Sequence, residues 1–187
     1  YLKYYDYWFK INYETNITKK LSNIVYPSII CSTNRIIKST YNNNSWEDRN
    51  IELFYSHRIP HGNREYILNI YKKLIENITF FNDNFNEPNR DDDYYIDWCQ
   101  TGRRHNPKYY EILKKTKIMD CTAGFIEKIN NHDVIIQNDS WKLWEAFFAG
   151  CCVISVNLDL YNIKFPVQPK NMIDYIGITL NEEEDIK

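Results

Sequence analysis

The chain has 187 residues and an apolar fraction of 43%, enough for one domain with a core. Aromatic residues make up 16% of it, too many for a disordered chain. The net charge of −2 argues against a nucleic-acid partner held by bulk attraction to phosphate. There is no run of about eighteen apolar residues, so we expect no transmembrane segment in this chain.

The cysteines lie at positions 31, 99, 121, 151 and 152, and no two of them form a Cys-x-x-Cys pair. A zinc site is therefore not expected. Cys121, Cys151 and Cys152 lie in apolar runs, where a buried free thiol is the usual state. The pattern is typical of a reducing compartment, and we expect a cytoplasmic protein.

Residues 1–45 lack the regular pattern of the rest of the chain. Residues 7–13 are rich in β-formers and predict a strand, and residues 24–31 form a second short apolar run; no long helical period appears anywhere in residues 1–45. The polar stretch 39–45 is turn-like. We expect residues 1–45 to be an N-terminal segment and linker from a truncated preceding domain, and residues 46–187 to be one domain.

From residue 49 onward, short apolar runs alternate with helical periods. The runs predict strands at residues 51–55, 78–81, 118–122, 134–136 and 152–156. Helices are predicted at residues 67–75, from Pro107 onward, and at about 140–149, with Gly150 as a stop. The alternation predicts an α/β fold with a Rossmann-like, mainly parallel sheet flanked by helices. Ligands in such sheets bind at the carboxyl ends of strands.

The segment 139–154 carries the strongest chemical signal. Asp139 or Ser140 can cap its helix, and Lys142 and Glu145 are the charged residues of that otherwise apolar helix. They are three positions apart and so lie on one face. Two interpretations are open. Either the two side chains form an ion pair at the solvent rim, or the carboxylate accepts ligand hydroxyls while the ammonium faces a phosphate.

This segment resembles the donor-binding signature of group 1 and exostosin-like glycosyltransferases of the GT-B fold. That signature is an acidic or Ser-rich turn, a basic residue, Glu-Ala, then Ala-Gly and a Val/Ile-rich strand. Segments 56–64, 109–121 and 174–186 resemble other parts of the same family in the expected order. Residues 7–13 are similar to a strand near its domain crossover. The resemblance covers roughly residues 49–187.

The resemblance implies the GT-B donor-binding half, which transfers a sugar from a nucleoside diphosphate to a glycan, protein or lipid acceptor without a metal. Glu145 would accept ribose hydroxyls, and Arg58, Arg64 and Lys142 would face the diphosphate, with His61 orienting a phosphate. The resemblance assigns no catalytic residue. The donor-binding residues that it implies are Arg58, His61, Arg64, Asp139, Ser140, Lys142 and Glu145.

The chain departs from the family at several points. Lys142 stands where many members have Arg, and it lacks the bidentate fork of a guanidinium. Gln137 stands where many retaining members have Glu, so retention or inversion stays open. The acceptor-binding domain is absent from this sequence.

Two alternatives therefore stay open. The first is a non-catalytic Rossmann-like domain that binds a nucleotide or a protein partner. The second is a metal-dependent glycosyltransferase, in which Asp91, Asp92 and Asp93 bind Mg²⁺ or Mn²⁺ together with a sugar diphosphate. A solvated acidic loop is the plainer interpretation of those three residues.

Overall fold

A computed structural model of the chain describes residues 8–10, 13–14, 25–27, 34–57, 62–81, 91, 95, 107–122, 125–129, 132–136 and 141–180. The strands are β1 (Trp8–Lys10), β2 (Tyr13–Glu14), β3 (Val25–Pro27), β4 (Ile51–Tyr55), β5 (Ile78–Phe80), β6 (Thr116–Asp120), β7 (Phe125–Ile129), β8 (His132–Ile136), β9 (Cys152–Val156), β10 (Ile163–Lys164) and β11 (Ile176–Ile178). The helices are α1 (Asn34–Thr40), α2 (Gly62–Leu74), α3 (Pro107–Lys114) and α4 (Trp141–Phe148).

Five strands form a parallel sheet in the order β5-β4-β6-β9-β11. Numbered along the chain within this sheet, the order is 2-1-3-4-5. The α/β fold with a mainly parallel sheet is therefore confirmed. The chain first runs from β4 outward to β5 and then returns to the other side of β4 at β6. This reversal makes the carboxyl ends of β4 and β6 a topological switch point, where open α/β sheets bind ligands.

Helices cover both faces of this sheet. Successive side chains of a strand point to opposite faces, so the contacts of two neighbouring residues show which helix lies on each face. The ring of Phe54 lies 5.6 Å from that of Tyr109 on α3. The next residue, Tyr55, donates its hydroxyl hydrogen to the carbonyl of Arg64 on α2, at 3.0 Å. Helices α1 and α4 contact each other, and α1 also contacts α3. The predicted flanking helices are thus present, and α2 and α3 lie on opposite faces.

Helix α4 ends as the sequence predicts, at Gly150. The backbone N–H of Gly150 donates to the carbonyl of Phe147, and that of Cys151 donates to the carbonyl of Ala146, both at 3.0 Å. This pair of bonds is the Schellman motif, which requires a left-handed residue. Gly150 supplies it with a φ of +69°.

Arg49 ties this helix end to the sheet at the edge opposite the switch point. Its guanidinium is buried and donates to the carbonyls of Thr116 and Ala149, both at 2.8 Å. A Cβ at Gly150 would lie 3.0 Å from the Nη2 of Arg49, so the close approach also favours glycine. The charge of Arg49 therefore serves helix capping rather than a ligand at the other edge.

The structure differs from the sequence predictions at two places. The strand predicted at residues 134–136 is present within β8, but β8 pairs antiparallel with β7 in a separate hairpin. Two residues separate β7 from β8, and a connection that short joins only antiparallel strands. Helix α1 lies in a region where no long helical period was found, and its Ile36 is 2% exposed.

Parts of the first 45 residues contact the rest of the fold. Helix α1 contacts α3 and α4, and the side-chain amide of Asn42 donates to the carbonyl of Lys114. Strand β2 pairs antiparallel with β10. The domain boundary at residue 45 stays a prediction, although these contacts cross it. No helix in the described part of the chain is long and apolar enough to cross a bilayer.

Candidate functional site

The structure describes part of the predicted donor-binding set. Arg64, Lys142 and Glu145 lie within the described residues, whereas Arg58, His61, Asp139 and Ser140 lie outside them. Arg64 is in the first turn of α2 and Lys142 in the first turn of α4. Glu145 lies one turn further along α4, on its buried side. The described part of the predicted site therefore consists of Arg64, Lys142 and Glu145.

A buried histidine–aspartate pair lies at the switch point. His57 follows β4, and Asp120 is the last residue of the adjacent strand β6. The Nε2 of His57 lies 2.7 Å from the Oδ2 of Asp120. An ionised carboxylate only accepts hydrogen bonds, so Nε2 carries the hydrogen and donates it. His57 is 7% exposed and Asp120 is fully buried.

Further hydrogen bonds make Asp120 the centre of a small network. Its Oδ1 accepts from the hydroxyl of Thr122 at 2.7 Å, from the backbone N–H of Thr122 at 3.1 Å and from the hydroxyl of Tyr71 at 3.4 Å. Burial by itself would raise the pKa of Asp120. The electrostatic attraction of His57, together with the hydrogen bonds from His57 and Thr122, outweighs burial and holds this pKa below its usual value. Asp120 is therefore ionised at neutral pH.

His57 is neutral at the same pH. Burial lowers its pKa to about 4; Asp120 opposes the shift, and the charges of Lys142 and Arg64 add to it. The imidazole ring also packs edge-on against Tyr55, with ring centres 4.6 Å apart. With the hydrogen on Nε2, the other nitrogen, Nδ1, has a lone pair. Among the described residues, Nδ1 has no hydrogen-bond donor.

Arg64 and Lys142 bring two positive charges to the same place. Both side chains are half-buried. Burial and, less strongly, the charge of Arg64 lower the pKa of Lys142 to about 8, while Cys121, Asp120 and Glu145 oppose the shift. Neither cation forms an ion pair with a carboxylate within the described ranges. The Nε of Arg64 is buried and has no hydrogen-bond partner there either.

The ends of two helices add to this positive potential. Both α2 and α4 begin near the switch point, since their first turns carry Arg64 and Lys142. A helix N-terminus has backbone N–H groups without internal partners and a partial positive charge. Two cations and two helix starts together attract an anion such as a phosphate group. An anion there would also supply the carboxylate-like partner that both cations lack.

Glu145 is held by two tyrosines of α3. Its Oε2 accepts from the hydroxyl of Tyr109 and its Oε1 from the hydroxyl of Tyr110, each at 3.1 Å. The residue is 5% exposed, and burial raises its pKa while both tyrosines oppose that rise. No ion pair with Lys142 is formed in the described structure, so the interpretation of a rim ion pair is wrong. A role in ribose binding stays a prediction.

The three cysteines that the structure describes are poorly reactive thiols. Cys121 and Cys151 are buried, Cys152 is half-buried, and all three are free, as predicted. Burial raises the pKa of each of them, to about 11 for Cys151. A thiolate is the nucleophilic form, so these residues are not candidates for nucleophilic catalysis.

Of Asp91, Asp92 and Asp93, which the metal-dependent alternative requires, only the first lies within the described residues. Asp91 is exposed in a turn, and positions 92 and 93 lie outside the described residues, as does Gln137. In the part of the chain that the structure describes, no three His, Cys, Asp or Glu residues are grouped to hold a metal ion. The metal-dependent alternative stays a prediction.

Sequence reasoning missed His57 and Asp120. His57 follows the predicted strand 51–55 and Asp120 lies inside the predicted strand 118–122, both within segments that had been compared with glycosyltransferases. Their partnership depends on β4 and β6 being neighbours in register, with Tyr55 opposite Asp120. A local pattern does not contain that information.

The fold and the site together define a doubly wound α/β domain with a polar cluster at its switch point. Comparisons with family models, with curated proteins and with solved structures gave no match.

Proposed function

We propose that the chain is the donor-binding part of a glycosyltransferase and that it binds a nucleoside-diphosphate sugar at the switch point. The observation that carries the proposal is the pair Arg64 and Lys142. Both are half-buried cations at helix starts, and the described structure offers neither a carboxylate partner. A diphosphate leaving group needs such cations and helix N-termini to stabilise its charge.

The two cations suit different parts of a diphosphate. The guanidinium of Arg64 can bind two phosphate oxygens in a fork, and its buried Nε gains the hydrogen-bond partner that it lacks. The ammonium of Lys142 acts as a compact point charge. Burial lowers the pKa of both groups, and the charge of Asp120 opposes this fall.

The resemblance of segment 139–154 to the GT-B signature supports the sugar-nucleotide class within the broader class of phosphate ligands. In this proposal Glu145 accepts ribose hydroxyls. Both of its oxygens already accept tyrosine hydroxyls, so ribose binding uses the second lone pair of each oxygen. The acceptor of the sugar is a glycan, a protein or a lipid.

Thermal-shift and calorimetric titration with UDP, GDP, ADP and dTDP, each with and without Mn²⁺, tests the proposal. A ligand at one hundred times its dissociation constant adds about 2.7 kcal/mol of stability. We expect one nucleotide to stabilise the chain without metal. Lys142→Gln removes a cation of the site and should weaken this nucleotide at least tenfold, since hydrogen bonds to charged groups contribute about 1.5–3 kcal/mol.

Lys72→Gln is the matched control. Lys72 is an exposed lysine near the other end of α2, so its loss changes the net charge equally and should leave the affinity unchanged. If no nucleotide binds, or if both variants bind like the wild type, the proposal fails. Binding that requires Mn²⁺ would favour the metal-dependent alternative instead.

A second candidate is a non-catalytic domain that binds a nucleotide or a protein partner. The engagement of both Glu145 oxygens by tyrosines favours it, because the carboxylate has a structural task of its own. The two functions differ in turnover. Slow hydrolysis of the sugar nucleotide that binds would support a transferase, whereas binding without any turnover by the protein that carries this domain would support the second candidate.

A further inference from the structure

The orientation of His57 is fixed from one side only. Its Nε2–H donates to Asp120, and Asp120 is itself held by Thr122 and Tyr71. Rotation or a tautomer change would place a lone pair against the carboxylate, so the ring keeps its hydrogen on Nε2. The Nδ1 nitrogen is thus a fixed acceptor in a side chain that is 3% exposed.

This acceptor lacks a donor among the described residues. This nitrogen is not among the buried side-chain atoms without a partner in the described structure, so it reaches the surface of the site, where a ligand can contact it. Lys142 is near enough for its charge to lower the pKa of His57, but no hydrogen bond joins the two side chains in the described structure. A bound molecule that brings a donor would satisfy Nδ1.

The chemistry of the site restricts what that donor is. Phosphate oxygens are acceptors at neutral pH, so they suit Arg64 and Lys142 and would repel the lone pair of Nδ1. The complementary group on the same ligand is a hydroxyl. We propose that His57 is a ligand-contacting residue whose Nδ1 accepts a hydrogen bond from a sugar or ribose hydroxyl of the phosphate ester bound at Arg64 and Lys142. This assignment rests on the proposed function.

Asp120 acts through His57 in this arrangement and is a positioning residue. Its carboxylate selects the tautomer that leaves Nδ1 as an acceptor. A neutral imidazole held in this way does not add positive charge to the site. It therefore contributes recognition of the hydroxyl rather than attraction to the phosphate.

Two variants separate these roles. The amide nitrogen of His57→Gln reaches the position of Nε2 and keeps a donor for Asp120, but the variant has no acceptor at the position of Nδ1. Binding is measured with pyrophosphate, which has no hydroxyl, and with UDP-glucose, GDP-glucose, ADP-glucose and dTDP-glucose. For His57→Gln we expect pyrophosphate affinity within twofold of the wild type and sugar-nucleotide affinity lowered at least about fivefold. Lys142→Gln should lower the affinity for both pyrophosphate and the sugar nucleotides.

The wild-type protein gives an independent readout. In a nitrogen-15 spectrum of its imidazoles, Nδ1 of His57 should shift on adding the sugar nucleotide that binds, and stay unchanged with pyrophosphate. If His57→Gln binds sugar nucleotides like the wild type, or weakens pyrophosphate by the same factor, the assignment of His57 is wrong although the anion site stands. If the wild type binds none of the probes, the proposed function itself is overturned.

Discussion

The Nε2–H of His57 donates to the Oδ2 of Asp120 over 2.7 Å, at the point where β4 and β6 end beside each other. Because Asp120 also accepts from Tyr71 on α2, this carboxylate joins two strands and one helix. Asp120 is fully buried, so its carboxylate is not exposed to solvent. Among the described residues, the carboxylate is therefore fully engaged by the protein, and Nδ1 of His57, Arg64 and Lys142 are the groups left for a ligand.

Asp120→Asn should destabilise the protein by about 2 kcal/mol, the usual range for hydrogen bonds to a charged group. The new amide donates where the carboxylate accepted, so one of the present donors loses its acceptor. With the amide nitrogen facing His57, the ring must move its hydrogen to Nδ1. Urea denaturation measures the first effect, and nitrogen-15 shifts of the imidazole measure the second.

Asp159→Asn serves as the control for that experiment. Asp159 forms an ion pair with Lys164 at 3.3 Å, and both side chains are largely exposed. Exposed pairs contribute about 1 kcal/mol or less. Equal losses of stability in the two variants would show that the Asp120 network has no special importance.

The stability of the wild type should fall in mild acid because of His57. Its pKa is about 4 in the folded chain, against an ordinary value of 6.5. As the pH falls from 6.5 towards 4, the unfolded chain takes up a proton that the folded chain does not, so unfolding becomes easier. Between pH 7 and pH 5 this amounts to about 2 kcal/mol.

His57→Gln removes this titration and should flatten the curve of stability against pH over that window. Urea midpoints at pH 7 and pH 5 for both proteins test it. Asp120 does not confuse the comparison, since its pKa lies below its usual value and its contribution is lost only at lower pH. Parallel curves for the two proteins would mean that His57 is protonated in the folded state near its ordinary pKa.

Much of the sheet could be predicted from local patterns, and the site only in part. Apolar runs such as residues 51–55 and 152–156 match β4 and β9, because strands buried on both faces read as continuous apolar runs. Gly150 marked the end of α4 because only a left-handed residue completes that cap. Because such strands alternate with helices along the chain, a mainly parallel sheet could be predicted as well.

Features that depend on tertiary neighbours were missed or misplaced. Helix α1 has seven residues, too few for a visible period, and a helix this short is stabilised by its contacts with α3 and α4. The partner of Glu145 was expected to be Lys142 on its own helix or a ligand, yet it is a tyrosine pair on α3. The His57–Asp120 pair likewise depends on the order of strands in the sheet.

Lys142 should make ligand binding sensitive to alkaline pH. Its pKa is about 8 without ligand, and an anion binds better to the protonated ammonium. The affinity for the nucleoside diphosphate that stabilises the chain should therefore fall as the pH rises from 7 to 9. Isothermal titration at several pH values measures this dependence.

Lys142→Arg is the variant that tests the cause. A guanidinium stays protonated throughout this range, so the variant should keep its affinity at pH 9 even if its affinity at pH 7 is changed. An equally steep fall in both proteins would assign the pH dependence to another group. It would also remove Lys142 from the anion site.

Glu145 provides the last prediction, which separates its structural task from ligand binding. Burial raises its pKa in the folded chain, so the folded state holds a proton that the unfolded state has already released. Stability must then fall as the pH rises from the ordinary pKa of a glutamate through the raised one. Glu145→Gln cannot ionise, keeps an acceptor for one tyrosine and offers its amide to the other. The stability of Glu145→Gln relative to the wild type should therefore improve between pH 4 and pH 8, as urea midpoints at both values would show.

Glu111→Gln, at an exposed position of α3, should change stability by less than about 0.5 kcal/mol at either pH. If Glu145→Gln instead loses stability relative to the wild type as the pH rises, the charge of Lys142 and the two tyrosine hydroxyls outweigh burial and keep the carboxylate ionised.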